Sequence, residues 1–224
     1  MPVVIAVDVD GTLYDGDSVA SEAIEALAAA RQHGHSVMIV TGRRWESLAE
    51  VVPSIVALCD RVVCEEGGVL VDVTTGRVTL LGDPVEAALL AGLEAAGVPA
   101  LDIGRVAIGA PSSMLALVTE VRDRSGSHRR IVTNKGSIGL VPVGCDKGTG
   151  LRAAVADLGV QGRPILAIGD AANDLAMFAV ATVGVGVANA DEAVRTSGVP
   201  LTTAAVGAGV AEALRRFLPL PPAR

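Results

Sequence analysis

The run Val3-Val4-Ile5-Ala6-Val7 passes directly into Asp8-Val9-Asp10-Gly11-Thr12. An unbroken stretch of apolar, mostly β-branched residues reads as a strand buried on both faces, and such strands belong to parallel sheets covered by helices. Carboxylates at its far end narrow the choice again, because open parallel sheets bind ligands beyond the C-terminal ends of their strands. The same alternation recurs downstream. Ile24, Leu27 and Ala28 recur at helical spacing, which predicts a helix from Ser21 to His33 that stops at Gly34, followed by a strand from Ser36 to Val40. A helix from Trp45 to Leu58 and a strand from Arg61 to Cys64 come next. Later come a helix from Thr149 to Leu158, strands from Pro164 to Ile168 and Thr182 to Val187, and a closing helix from Gly209 to Leu218. The pattern predicts an α/β fold with a doubly wound parallel-sheet core. The tail with Pro219, Pro221 and Pro222 is expected to fray.

From about Val69 to Pro142 the rhythm breaks. Two β-rich runs flank the turn Thr75-Gly76, and a helix is expected to start with Asp83 as N-cap, Pro84 at the first position and Glu86 completing a capping-box-like pair, ending at Gly97. Met114 to Thr119 and the Ile131 to Val141 region, turning at Asn134-Lys135-Gly136, read as strands. The expected organisation is a core of residues 1–70 and 143–224 carrying a small α+β cap of residues 71–142.

Composition excludes several classes. Half the residues are hydrophobic but only 2% are aromatic, so Val, Ala, Leu and Ile must fill the core. A net charge of −7 argues against a general nucleic-acid binder, which needs a basic face. Cys59, Cys64 and Cys145 are odd in number and lack C-x-x-C spacing, so a reducing cytoplasm is expected rather than a disulfide framework or structural zinc. No apolar run approaches the roughly 20 residues of a membrane span, and the N-terminal run lacks the basic flank of a signal peptide. A soluble, unprocessed monomer or homodimer is expected.

The strand ends deliver a coherent set of groups: Asp8 and Asp10 from the first, Thr41-Gly42-Arg43 from the second, and Gly169-Asp170-Ala171-Ala172-Asn173-Asp174 from the strand ending at Ile168. Asp8, Asp10, Asp170 and Asp174 in one crevice would repel one another unless a cation sat among them. Oxygen ligands without a His or Cys cluster favour Mg²⁺, with Asp8 and Asp170 as foremost ligands. Ionised Asp8 can attack phosphorus, while Asp10 protonates the departing oxygen and later activates water. Lys147, the Thr41 hydroxyl and the Gly42 N–H can surround the phosphoryl oxygens, and Gly11 permits close backbone approach. A lysine in a first helical turn opposes the helix dipole, and phosphate supplies a reason for it.

Through Asp8-Val9-Asp10-Gly11-Thr12, Thr41-Gly42-Arg43, Cys145-Asp146-Lys147-Gly148 and Gly169-Asp170-Ala171-Ala172-Asn173-Asp174, the chain resembles the haloacid dehalogenase (HAD) superfamily of phosphohydrolases. An insert between the second and third motifs resembles the type C2 cap of Cof-type sugar phosphatases, sucrose phosphatase and archaeal-type phosphoglycolate phosphatase, and its short length resembles the last group most. The resemblance implies a Rossmannoid core, Asp8 as nucleophile, Asp10 as acid/base, Thr41 and Lys147 as phosphate binders, Asp170 and Asp174 as metal-site acids, and Asn173 and Asn189 near the site, with Asn173 and Gly11 among the substrate-binding residues. It also implies Mg²⁺ and a small phosphorylated substrate such as phosphoglycolate or a sugar phosphate. The chain departs at Glu65-Glu66-Gly67-Gly68, where relatives read Glu-Asn-Gly, so Glu66 alters a cap-hinge or substrate contact.

Blander readings stand beside these. Arg43, near Glu46 and Glu50, reads equally as a framework ion pair and is left out of catalysis. Arg122, Arg124, His128, Arg129, Arg130 and Lys135 make the insert locally basic, which more often means a solvated face than a substrate contact. A phosphomutase of the phosphomannomutase type shares the same core and cap, and a non-catalytic ligand-binding protein could keep the fold. A bisphosphate requirement without phosphate release would mark the first, and binding without turnover the second.

Overall fold

The computed structural model describes residues 1–134 and 136–218, so the Pro-rich tail and Lys135 lie outside the described residues. In chain order the elements begin with β1 (Val4–Val7), α1 (Ser21–Gln32), β2 (Ser36–Val40), α2 (Trp45–Val51), α3 (Pro53–Val56), β3 (Arg61–Cys64), β4 (Val69–Asp72) and β5 (Val78–Leu80). There follow α4 (Ala87–Ala95), β6 (Asp102–Ile103), β7 (Ile108–Pro111), α5 (Leu115–Arg124), β8 (Arg130–Asn134) and β9 (Ser137–Val141). The chain closes with α6 (Lys147–Asp157), β10 (Ile165–Gly169), α7 (Leu175–Phe178), β11 (Val183–Gly186), α8 (Glu192–Thr196) and α9 (Val206–Phe217).

Seven strands form one sheet in the order β11-β10-β1-β2-β3-β4-β5. The five from β11 to β3 are mutually parallel, and β4 and β5 extend the edge antiparallel. Alternation along β1 explains the two layers of helices. Ile5 and Val7 enter one buried cluster with Leu27, Leu48, Ile55 and Val210, while Val4 and Ala6 enter another with Leu151, Ala154 and Met177. Both faces are therefore dry, which is why the strand reads as a continuous apolar run. The three cysteines are free and buried, and burial pushes the Cys59 and Cys64 thiols up from their ordinary value.

The second sheet is antiparallel, ordered β6-β7-β9-β8, with its own cluster that includes Leu89, Leu93, Ile108, Val118, Ile138 and Leu140. Four expectations are corrected here. The runs flanking Thr75-Gly76, assigned to the cap, are β4 and β5 of the larger sheet, because Val69 and Val71 pack into its core. The boundary expected at residue 71 therefore passes through β4. Met114 to Thr119 is not a strand: Leu115 opens α5, which turns Val118 and Val121 into the cap cluster at helical spacing. The helix expected from Trp45 to Leu58 is two, because Pro53 lacks an N–H and starts α3 afresh. The Asp83-Pro84 start fails as well. Arg129 takes the carbonyls of Asp83 and Pro84 at 2.9 and 2.7 Å and pairs with Glu86, leaving α4 to begin at Ala87 without a side-chain cap.

Candidate active site

β1, β2 and β10 end level with one another: Val7 stands beside Ile39 on one side and Ile168 on the other. The residues that follow each strand therefore emerge at one edge of the sheet. Asp8, Asp170 and Asp174, all buried, place carboxylate oxygens within 4.8 Å of one another. Lys147, only 1% exposed, opens α6 and reaches back into this group, its Nζ donating to Asp8 Oδ1 at 2.6 Å and Asp174 Oδ1 at 2.7 Å. The helix start that aims it is capped by Asp146, whose carboxylate accepts from the Thr149 N–H at 2.7 Å.

The other oxygens of the cluster are also held. Asp174 Oδ2 accepts from the N–H groups of Asp170 and Ala171 at 2.8 and 3.0 Å, and Thr12 Oγ1 donates to Asp170 Oδ1 at 2.9 Å. Gly11, at φ +82°, leaves no room for a Cβ against the Asp170 carboxylate. The loop is tied further by Asn189, whose Nδ2 donates to the Gly11 carbonyl at 2.7 Å while its Oδ1 accepts from the Val206 N–H at 2.9 Å.

Burial holds the Asp8 carboxyl well above its usual range, and Lys147 only partly offsets that; Asp174 and Asp170 add to the rise. Burial alone would lower Lys147, but the carboxylates of Asp174, Asp8 and Glu66 reverse this and hold its ammonium above the usual value. One ammonium among three ionised carboxylates leaves two negative charges uncompensated, so the group is suited to a divalent cation. The donors are all carboxylate oxygens, as a hard ion such as Mg²⁺ requires.

Asp10, counted from the sequence among the metal acids, lies outside that cluster. Its carboxylate sits in the fork of Arg43, accepting from Nε at 2.7 Å and Nη2 at 2.6 Å, and this bond to Asp10 raises the arginine's pKa above its ordinary value. Arg43 is steadied by Ser47 and lies 5.5 Å from the Tyr14 ring centroid. Its nearness to Glu46 and Glu50 suggests a framework ion pair, yet it is the partner that positions Asp10. Thr41 is buried, and its Oγ1 accepts from the Arg43 N–H at 3.2 Å, which leaves the hydroxyl proton available to a ligand.

β3 contributes groups that the sequence reading undervalued. Glu65 and Glu66 follow it at φ 53° and 55°, a left-handed conformation unusual for two successive non-glycine residues. Their N–H groups bond to the carbonyls of Arg43 and Thr41 at 3.0 and 3.2 Å, strapping this turn to the Thr41-Gly42-Arg43 loop. Glu65 turns away and receives three backbone N–H groups of the second sheet's loop: Arg105 at 3.0 Å, Val106 at 2.8 Å and Ala107 at 3.0 Å. The ion pairs Arg44–Asp102 and Arg105–Glu46 join the same two regions. Glu66 packs against Gly42 so closely that a Cβ there would strike its carboxylate. Asn173 Nδ2 donates to both Glu66 oxygens at 2.9 and 3.2 Å, while its Oδ1 is buried with no partner among the described residues. Asn173, expected to bind substrate, thus has its donor turned to Glu66. The strand-end rule that found Asp8, Thr41 and Asp170 would also have found Glu65 and Glu66 if applied to β3.

Between the two sheets lies a cavity of about 400 Å³. Asp8, Asp10, Gly42 and Glu66 face it from the larger sheet, and Ile108, Ala110, Ser137 and Gly139 from the smaller.

Residues 5–83 and 105–214 match the family of haloacid dehalogenase-like hydrolases. The phosphoglycolate phosphatase of Methanothermobacter thermautotrophicus is 34% identical over 225 residues, covering 96% of this chain and 98% of its own. That of Archaeoglobus fulgidus is 32% identical over 220 residues, covering 96% of each. A haloacid dehalogenase-like hydrolase from Bacteroides thetaiotaomicron has a similar fold, with a TM-score of 0.81 at 19% identity over 96% of this chain and 99% of that one. The chain belongs to the haloacid dehalogenase-like hydrolases, the family that its four motifs resemble.

Proposed function

We propose that this hydrolase is a Mg²⁺-dependent phosphomonoesterase, acting in the cytoplasm on a small phosphorylated metabolite such as phosphoglycolate or a sugar phosphate, through an aspartyl-phosphate on Asp8. The observation that carries the reading is the buried group of Asp8, Asp170 and Asp174 around Lys147, of which Asp8 lines the cavity. The naming of two relatives as phosphoglycolate phosphatases supports the substrate class. Asp8, Asp170 and Asp174 would hold the cation, which supplies charge neutralisation at the phosphoryl oxygens.

Asp8 attacks phosphorus, forming the bond to its carboxylate oxygen as the bond to the leaving oxygen breaks. Lys147, the Thr41 hydroxyl and the Gly42 N–H receive the equatorial phosphoryl oxygens. Asp10 gives a proton to the leaving oxygen, then takes one from the water that attacks phosphorus and frees Asp8. A carboxylate offers about four lone-pair positions, so Asp10 can remain in the Arg43 fork and still face the leaving group. The test is phosphate release from phosphoglycolate, hexose phosphates and nucleotides, with Mg²⁺ and with chelator, beside Asp8→Asn. Release confined to the Mg²⁺-supplied, unsubstituted protein is expected; release that persists in Asp8→Asn overturns the mechanism.

A further inference from the structure

The cavity is electrically uneven. Of its acids, Asp10 is matched by Arg43, Asp102 by Arg44, and Glu65 by three backbone N–H groups. Asp8 is paired with Lys147. Glu66 differs, because its hydrogen-bond donor is the neutral amide of Asn173, and no ion pair to it occurs among the described residues. It lines both the main cavity and a neighbouring one of about 300 Å³ that also reaches Asn173, so its carboxylate forms part of the wall between them. It cannot move toward Gly42, which it already touches, and Asn173 holds both oxygens from the other side. On the opposing wall Ala107, Ile108, Ala110, Ser137 and Gly139 are uncharged, and Asp102 is paired with Arg44.

We propose that Glu66 is a specificity-determining residue that makes the cavity select phosphate esters whose leaving group offers hydroxyl or amine donors and bears no negative charge. This inference rests on the phosphomonoesterase reading and, of the two substrates named there, favours the sugar phosphate over phosphoglycolate. A fixed carboxylate in a site between two sheets repels a second carboxylate, and it accepts a hydrogen bond from a hydroxyl or ammonium instead. Both described arginines of the cavity are already paired, so neither can receive a carboxylate of the leaving group without giving up an ion pair. Selection here works mainly by exclusion, with the repulsive element supplied by one side chain.

The experiment compares kcat/KM for glycerol phosphate and phosphoglycolate, similar in size but carrying hydroxyl or carboxylate, in the unsubstituted protein, Glu66→Gln, Glu66→Asn and Lys135→Ala. The unsubstituted protein should favour glycerol phosphate by about tenfold or more. Glu66→Gln, which keeps the side chain's shape, should narrow that ratio about tenfold, chiefly through the KM for phosphoglycolate. Preference for phosphoglycolate in the unsubstituted protein, or equal effects of Glu66→Gln on both esters, overturns the inference and leaves the phosphatase reading standing. A phosphoglycolate preference that disappears in Lys135→Ala would assign carboxylate recognition to that lysine and overturn it as well. Absence of Mg²⁺-dependent release from either ester and from the broader panel overturns both. A phosphoglycolate preference in the unsubstituted protein overturns the inference even if a variant folds poorly, and Glu66→Asn supplies the comparison if Glu66→Gln does.

Discussion

The larger sheet meets the cavity with charge and the smaller sheet meets it with shape. On one side, buried carboxylates follow the ends of parallel strands, and a buried lysine at the start of α6 donates hydrogen bonds to two of them. On the other, an antiparallel sheet with its own small apolar cluster offers mostly Ile, Ala, Gly and Ser, with Asp102 at its edge paired to Arg44. In the proposed reaction, bond-making falls to the parallel sheet and contact with the leaving group to the antiparallel one. The contrast also means that the two regions should fail in different ways when altered.

The largest effect is expected at Asp8. Asp8→Asn should lower phosphate release by at least about a thousandfold. The metal-free variant should nonetheless melt at the same temperature or higher, since one of three crowded, buried carboxylates is gone. A variant both inactive and strongly destabilised would contradict the account of charge crowding. Next comes Lys147→Met, which removes the ammonium from Asp8 and Asp174; urea unfolding should show a loss of about 3–5 kcal/mol in the metal-free protein.

Altering the smaller sheet tests its independence. Leu93 is fully buried in the cap cluster, and Leu93→Ala should cost about 2–5 kcal/mol. Hydrogen exchange should quicken in β7, β8 and β9 while β1 and β10 keep their protection. Uniform loss through both sheets would mean that they unfold as one unit. The smallest effect is that of the cation. Because burial holds the Asp8 carboxyl above 3.8, the metal-free native protein keeps a proton that the unfolded chain has released. Its stability therefore falls as pH rises from that value toward the raised one. Mg²⁺ at a hundred times its Kd should add about 2.7 kcal/mol, and its gain in Tm should widen across the same pH interval. A gain independent of pH would separate Asp8 from the cation.

The parallel core was legible because burial on both faces writes itself as unbroken apolar runs: β2 and β3 begin and end where Ser36–Val40 and Arg61–Cys64 were read. The cap was less so. Leu115 to Thr119 is short and apolar, a pattern that helix and strand share, and packing of Val118 and Val121 decided it. Asp8, Asp170, Asp174 and Lys147 could be placed together because strand ends and a helix start fix where they emerge. The Arg43 fork on Asp10 and the triple bond set of Glu65 could not, since both depend on how loops turn side chains across a gap. No periodicity records that.

Glu65 and Glu66 are neighbours on one short, left-handed turn, yet they face opposite partners. The first grips the backbone of residues 105–107, and the second rests on Gly42 beside Asp8. Lifting the smaller sheet at this edge means rupturing three hydrogen bonds to the first while the second stays pressed on the Thr41-Gly42-Arg43 loop. The turn thus works as a latch whose keeper is built into the lock: the cap cannot swing away here without loading the peptide that forms the site's own floor.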